Sequence, residues 1–245
     1  MKTEYEAKGI LVIPDVFSPE EMEQLKREAY GTTAQAIKNA GYPHQPEEQA
    51  YNKRSLIFFP SLANDFINNI RIDARMYEIV KHFLGEGDIK QVNNQIYFRE
   101  AGDEDQFAWH QDIVFREPRH RFPGIETGYL QTIIAVDDMT IDNGAIEFID
   151  GSHKQGEQEI TSSSKVTHML REFKRMGMQG TKYTAKKGSV LIWTVLTVHG
   201  SEANTSNQDR MTYMNGFARA ENCLDYPPYA VDGAVVRAIN PKLIP

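Results

Sequence analysis

Cysteine is nearly missing. Cys223 is the single one in 245 residues, so no intrachain disulfide can form and the fold must rest on burial. One thiol fits a reducing compartment, and a cytoplasmic location is the expectation. Positive charge is also in short supply: 27 Lys and Arg against 34 Asp and Glu leave a net charge of −7. That balance argues against nucleic acid or an anionic membrane as the main partner. No apolar run is long enough to cross a bilayer, and Met1–Pro14 has no signal-peptide pattern. The ending Leu243-Ile244-Pro245 is not a peroxisomal address. There is no internal repeat and no low-complexity tract. What remains is a chain whose 40% hydrophobic content suffices for a substantial core.

The pattern of elements is read in chain order. Gly9–Pro14 is a short buried strand. Ser18-Pro19-Glu20-Glu21 is a helix start, with Ser18 as N-cap, Pro19 in the first turn and Glu21 closing a capping box. This helix is expected to continue past Gly31 to Ile37. Residues 41–55 read as a loop. A second helical region covers Asn64–Phe83, with Asp73 capping the piece that Gly85 ends. From Ile89 the period becomes two: Asn93, Gln95, Tyr97 and Arg99 alternate with apolar neighbours. Further strands are expected over Phe107–Phe115, Tyr129–Asp137, Ala145–Ile149, Gly188–Val198 and Arg210–Ala218, with Asp142-Asn143-Gly144 as a hairpin-type turn. A short helix is placed at Met169–Met176, and the tail after Asn222 is read as irregular. Helices first and then many short strands predict a mainly β protein, a double-stranded β-helix (jelly roll, cupin-like) with N-terminal helices packed on one sheet. The chain is read as one domain over 1–245: helical support at 1–88, a jelly-roll core at 89–220 with a lid at 154–184, and a tail at 221–245.

The chemistry centres on Phe107-Ala108-Trp109-His110-Gln111-Asp112. On a strand, residues two apart share a face, so His110 and Asp112 can hold two positions of a divalent metal. His199 offers a second imidazole. Two histidines and one carboxylate on one side of a metal is the facial arrangement of non-haem Fe(II) oxygenases, which leaves positions open for cosubstrate and oxygen. Arg210 follows His199 by eleven residues. If a hairpin joins them, its guanidinium lies near the open positions and can take an acid group in bidentate fashion.

These residues, together with Asp142-Asn143-Gly144-Ala145, Gly151-Ser152-His153-Lys154 and Lys187-Gly188-Ser189-Val190, resemble the phytanoyl-CoA dioxygenase family of Fe(II)- and 2-oxoglutarate-dependent oxygenases. The resemblance covers most of the chain. It implies His110, Asp112 and His199 as iron ligands, with Fe(II), 2-oxoglutarate and O2 as cofactor and cosubstrates. It implies Arg210, helped by Ser201, as the partner of the distal carboxylate of 2-oxoglutarate, and places Gln95 and Tyr97 on a cosubstrate-contacting strand. Halogenating relatives replace the ligand carboxylate by a small residue, and Asp112 is present here. The expected activity is therefore hydroxylation of a small-molecule metabolite with release of succinate and CO2; the basic stretch after the ligand segment and the lid hint at a polar or anionic one. Desaturation, epoxidation or cyclisation in natural-product biosynthesis, and a non-catalytic jelly-roll binding protein, are the alternatives.

Phe107, Trp109 and Phe115 are candidate substrate-wall residues. Arg116 and Arg121, in the basic stretch after the ligand segment, and Arg54 are candidate anion contacts, weighed against a solvated loop. His44, His82, His120, His153 and His168 keep structural or solvated roles, and Trp193 a core role. The protein is expected to be a monomer or homodimer acting on a small molecule.

Overall fold

In a computed structural model, residues 1–41 and 56–237 are described; Arg54, His44 and the 41–55 loop reading, past Gly41, lie outside them. The helices are α1 (Lys2–Lys8), α2 (Pro19–Gly31), α3 (Ala34–Asn39), α4 (Asp65–Arg71), α5 (Ala74–Leu84) and α6 (Ser163–Arg175). The strands are β1 (Ile10–Ile13), β2 (Leu56–Phe58), β3 (Ile89–Arg99), β4 (Phe107–His110), β5 (Tyr129–Ala135) and β6 (Ile146–Ile149), then β7 (Gly180–Lys182), β8 (Val190–Trp193), β9 (His199–Ser201), β10 (Arg210–Arg219), β11 (Pro228–Val231) and β12 (Ala234–Val235).

The strands form two antiparallel sheets. The larger runs β1-β8-β5-β10-β3-β11-β12, with β2 also on β3, and the smaller runs β4-β9-β6-β7. From β3 to β10 the chain passes repeatedly between the sheets, which is the expected jelly roll. Alternation sorts the side chains of the large sheet. Ile96, Phe98, Ile134, Ile192, Met211 and Tyr213 face outward and meet Met22, Leu25, Ile67, Met76 and Val80 of the helices in one apolar cluster. Ile133, Leu191, Trp193 and Phe148 meet between the sheets. The helices thus cover one sheet, as expected, and leave the space between the sheets for the site.

The caps follow the sequence. Ser18 Oγ accepts from Glu21 N at 3.2 Å, and Glu21 returns the bond to Ser18 N at 2.7 Å. Asp73 caps α5. Other expectations need correction. The first helix does not run on to Ile37: it ends at Gly31, and Thr33 caps the separate α3. The strand expected over Phe107–Phe115 ends at His110, and Asp112–Phe115 is a 3-10 turn, held where Ile113 N donates to Val195 O at 3.1 Å. The Asp142–Gly144 turn does not close a hairpin, because β5 and β6 belong to different sheets. The strand expected over Gly188–Val198 is shorter: β8 covers only Val190–Trp193, and the chain then crosses to the other sheet, where β9 begins at His199. The tail carries β11 and β12. The helix expected at Met169–Met176 begins earlier, at Ser163, and buries Met169 and Phe173 against Ile149 and Val198.

Candidate metal centre

Two cross-strand neighbours carry the imidazoles. On β4 and β9, His110 stands opposite His199, and their ring centroids are 4.2 Å apart. Asp112 arrives from the turn that follows β4, so the shared-face argument for a strand does not apply; the turn performs the same convergence. Asp112 Oδ1 lies 3.9 Å from His110 Nε2 and 4.0 Å from His199 Nε2. One donor atom from each of the three falls within 4.8 Å of the others. Two ligands of one metal, each ~2.1 Å from it, can be at most ~4.2 Å apart, so small side-chain movements suffice to close the set.

Each ligand atom is already aimed. His110 Nδ1 lies 2.8 Å from Ala108 O and His199 Nδ1 2.9 Å from Thr197 O. A carbonyl only accepts, so in both neutral rings Nδ1 carries the hydrogen and Nε2 keeps its lone pair for a cation. Burial, and then the neighbouring His110, push His199 down to about 4, which keeps it neutral near pH 7. Trp193 Nε1 donates to Asp112 Oδ2 at 2.8 Å and leaves Oδ1 for the metal. Trp193 and Phe148 flank the His199 ring. Gln111 ties the turn down: its amide donates to Gly156 O and Leu196 O and accepts from Gln158 N. This donor set fits an octahedral cation such as Fe(II), with one face left open.

Arg210 is 5% exposed and faces the space between the sheets. It is not joined to His199 by a hairpin, since β9 and β10 lie in different sheets and approach across the barrel. Its Nη1 donates to Gly144 O, and its Nε has no partner. Gly144 adopts φ 78°, and a Cβ there would stand 2.6 Å from Glu202 O, so this close approach requires glycine. Opposite Arg210 on β3 is Arg99. Arg99 donates to Asp105 O, Glu202 O and, at 3.1 Å, to Ser201 Oγ. Burial, and then the charge of Arg99, push Arg210 down to about 9. A carboxylate docked between them removes the repulsion and occupies the orphan Nε, so the pair fits the distal acid group of 2-oxoglutarate. Arg99 was not among the residues expected from the sequence. Its signal was its place in the inward-facing set with Gln95 and Tyr97, whose side chains bond at 3.1 Å.

The other candidate contacts separate clearly. Phe107 packs edge-on to Tyr97 and Phe115 to His110; they are 45% and 61% exposed and stand at the rim. Trp109 does not wall the site. It neighbours His110 on a strand, so it points to the other face and packs against the cluster of Ile149, Met169, Phe173 and Val198. Arg121 is exposed and paired with Asp225 at 3.0 Å. Arg116 is turned inward and buried. His153 Nε2 lies 3.2 Å from Glu6 O, a structural contact.

The family signature described as Phytanoyl-CoA dioxygenase (PhyH) matches residues 5–212. The chain belongs to the phytanoyl-CoA dioxygenase family. The enzyme class expected from the sequence therefore stands: a dioxygenase dependent on iron and 2-oxoglutarate. Among relatives, the chain is 27% identical over 243 residues to a probable alpha-ketoglutarate-dependent hypophosphite dioxygenase of Stutzerimonas stutzeri, covering 92% of this chain and 82% of that protein. It is 22% identical to an ectoine dioxygenase of Bordetella bronchiseptica, covering 93% and 77%. In fold it is similar to EctD from S. alaskensis with bound Fe, with a TM-score of 0.72 at 20% identity over 96% of this chain and 80% of that one. Among the described residues no helix is long and apolar enough to cross a membrane.

Proposed function

We propose that His110 Nε2, Asp112 Oδ1 and His199 Nε2 hold Fe(II), that Arg210 binds the distal carboxylate of 2-oxoglutarate, and that the enzyme hydroxylates a small anionic metabolite. The observation that carries the reading is the preset donor set: both Nδ1 atoms are committed to carbonyls and Asp112 Oδ2 to Trp193, so all three free donors converge. The metal and 2-oxoglutarate supply the oxidation of substrate by O2, with succinate and CO2 released. The chain's own part is geometric and electrostatic. His110, Asp112 and His199 would hold the metal through three donors, and the metal would supply the open positions that cosubstrate and oxygen need. Arg210 and Arg99 orient the cosubstrate from its far end, with Ser201 held beside them by Arg99 and with Gln95 and Tyr97 on the same inner face. Phe148 and Trp193 keep water from the His199 side, and Phe107 and Phe115 border the mouth.

Retention of Asp112 favours hydroxylation over halogenation. An anionic substrate is favoured by the relative named for hypophosphite, a small phosphorus oxyanion. The single cysteine supports a cytoplasmic location and the acidic balance supports a small-molecule over a nucleic-acid partner. Succinate release is the test. It is expected to require both Fe(II) and 2-oxoglutarate, and Asp112→Ala and His199→Ala are each expected to abolish it. Near-normal succinate formation in either variant would overturn the metal assignment.

A further inference from the structure

We propose that Arg116, with Tyr129, Gln131 and Asn93, forms a second anion anchor inside the jelly roll, and that it holds the substrate by a group with two or more oxygens on one atom, a carboxylate or a phosphorus oxyanion. This rests on the oxygenase reading above and adds to it the place and chemistry of substrate recognition.

Arg116 is the cationic centre of the cluster. It is 6% exposed, and it makes no ion pair among the described residues, whereas Arg119 and Arg121 in the same stretch are paired with Glu117, Glu157 and Asp225. Its Nη2 donates to Tyr129 Oη at 2.7 Å and its guanidinium lies 4.9 Å from the Tyr129 ring centroid. Its Nε is buried with no partner. Withdrawing a guanidinium from water is costly; here the Tyr129 hydroxyl and the charge of Asp112 offset that cost, while Nε still keeps a donor free. The surroundings are built for polar contact. Tyr129 Oη donates to Gln131 Oε1, and Asn93 Nδ2 reaches the same oxygen at 3.1 Å. Space for the cluster comes from Gly216 on β10: a Cβ there would stand 2.5 Å from Tyr129 Oη and 3.1 Å from Gln131 Oε1.

The placement fits a substrate. Gly216 lies six residues along β10 from Arg210, a span of ~20 Å at the strand rise, so this cluster and the cosubstrate arginines sit at opposite ends of one inner face. The metal donors reach both ends: Ser201, two residues from His199 on β9, accepts from Arg99, and Asp112 reaches the other end through Trp193. Gln131 is the register partner of Trp193, and Trp193 holds Asp112. Two cationic ends flanking one metal suit two anions: the cosubstrate at Arg210 and the substrate at Arg116. The basic residue is planar and forked, which favours paired oxygens over a single one.

The test is calorimetric titration of the anaerobic Fe(II)–2-oxoglutarate complex with propionate, methylphosphonate and hypophosphite, with neutral propionamide as control. Saturable binding is expected for at least one anion and none for propionamide. Which anion binds distinguishes a carboxylate from a phosphorus site. Arg116→Gln is expected to weaken that anion at least about thirtyfold while shifting 2-oxoglutarate affinity less than about threefold, and Gly216→Ala to weaken it by filling the space. Arg175→Gln, on the exposed face of α6, serves as the control with unchanged binding. If Arg116→Gln does not fold, Arg116→Lys and Tyr129→Phe decide the matter: weakened anion binding supports the anchor and unchanged binding overturns it. Equal anion binding in wild type and Arg116→Gln, or no anion binding at millimolar concentration in a complex that does bind 2-oxoglutarate, also overturns it. Failure of the wild type to bind 2-oxoglutarate at all would instead overturn the oxygenase reading.

Discussion

Trp193 shows how a side chain off the metal sets the site. Its indole N–H holds Asp112 Oδ2 at 2.8 Å inside the core, and loss of such an outer partner usually costs 10–100-fold in metal affinity. Trp193→Phe keeps most of the packing and removes only the donor. It is expected to weaken Fe(II) about 10–100-fold in an anaerobic titration; unchanged affinity would mean that Asp112 needs no anchor. Arg210→Gln, for its part, is expected to raise the 2-oxoglutarate concentration for half-saturation by at least about tenfold, since a charge-assisted fork is replaced by a neutral amide. At this scale the sequence was informative where a residue type carries rare chemistry at a set spacing: His110, Asp112, His199 and Arg210 all reach the space between the sheets. It was silent where the role depends on a partner far along the chain. Arg99 matters through Arg210, 111 residues later, and Trp193 through Asp112, 81 residues earlier. Its apolar run made Trp193 look like plain core, and core it is, but with one polar atom spent on a ligand.

Elements were legible where their signals are local. The capping box of α2 needs only Ser18 and Glu21, and both bonds form. Ser18→Ala is expected to cost about 1 kcal/mol of stability, measured by denaturant unfolding, with Fe(II) affinity unchanged; a shift in metal affinity would show that α2 supports the site more directly than its position on the outer face implies. The failures were of a different kind. Asp112-Ile113-Val114-Phe115 has β-branched and aromatic residues and reads as strand, yet Ile113 bonds to Val195 and the chain turns. Asp142-Asn143-Gly144 announces a turn but not which sheet receives the next strand. Helix α1 was missed because it buries no residue, so no apolar stripe marks it.

Across the whole molecule, net charge and interior charge point in opposite directions. The chain carries −7, while Arg99, Arg116 and Arg210 are all buried on the inner side of the jelly roll. Net charge therefore does not describe the cavity, because the acidic excess belongs to the chain as a whole and the three arginines to its interior. The same burial makes the sole thiol inert. Cys223 is fully buried, and removal from water pushes it up to about 11, so little thiolate exists at pH 8. The native protein is expected to resist a thiol-specific reagent at pH 8 and to react with one equivalent after denaturation; rapid labelling of the native state would show that the segment over Cys223 opens readily.

The central claim is that three converging donors and one facing guanidinium make a single iron and 2-oxoglutarate site. Anaerobic addition of Fe(II) and then 2-oxoglutarate to the apoprotein, followed through the visible metal-to-ligand charge-transfer band, tests it most directly. The account predicts a saturable band that disappears in Asp112→Ala and needs more 2-oxoglutarate in Arg210→Gln. Iron binding without any such band in the wild-type protein would contradict it.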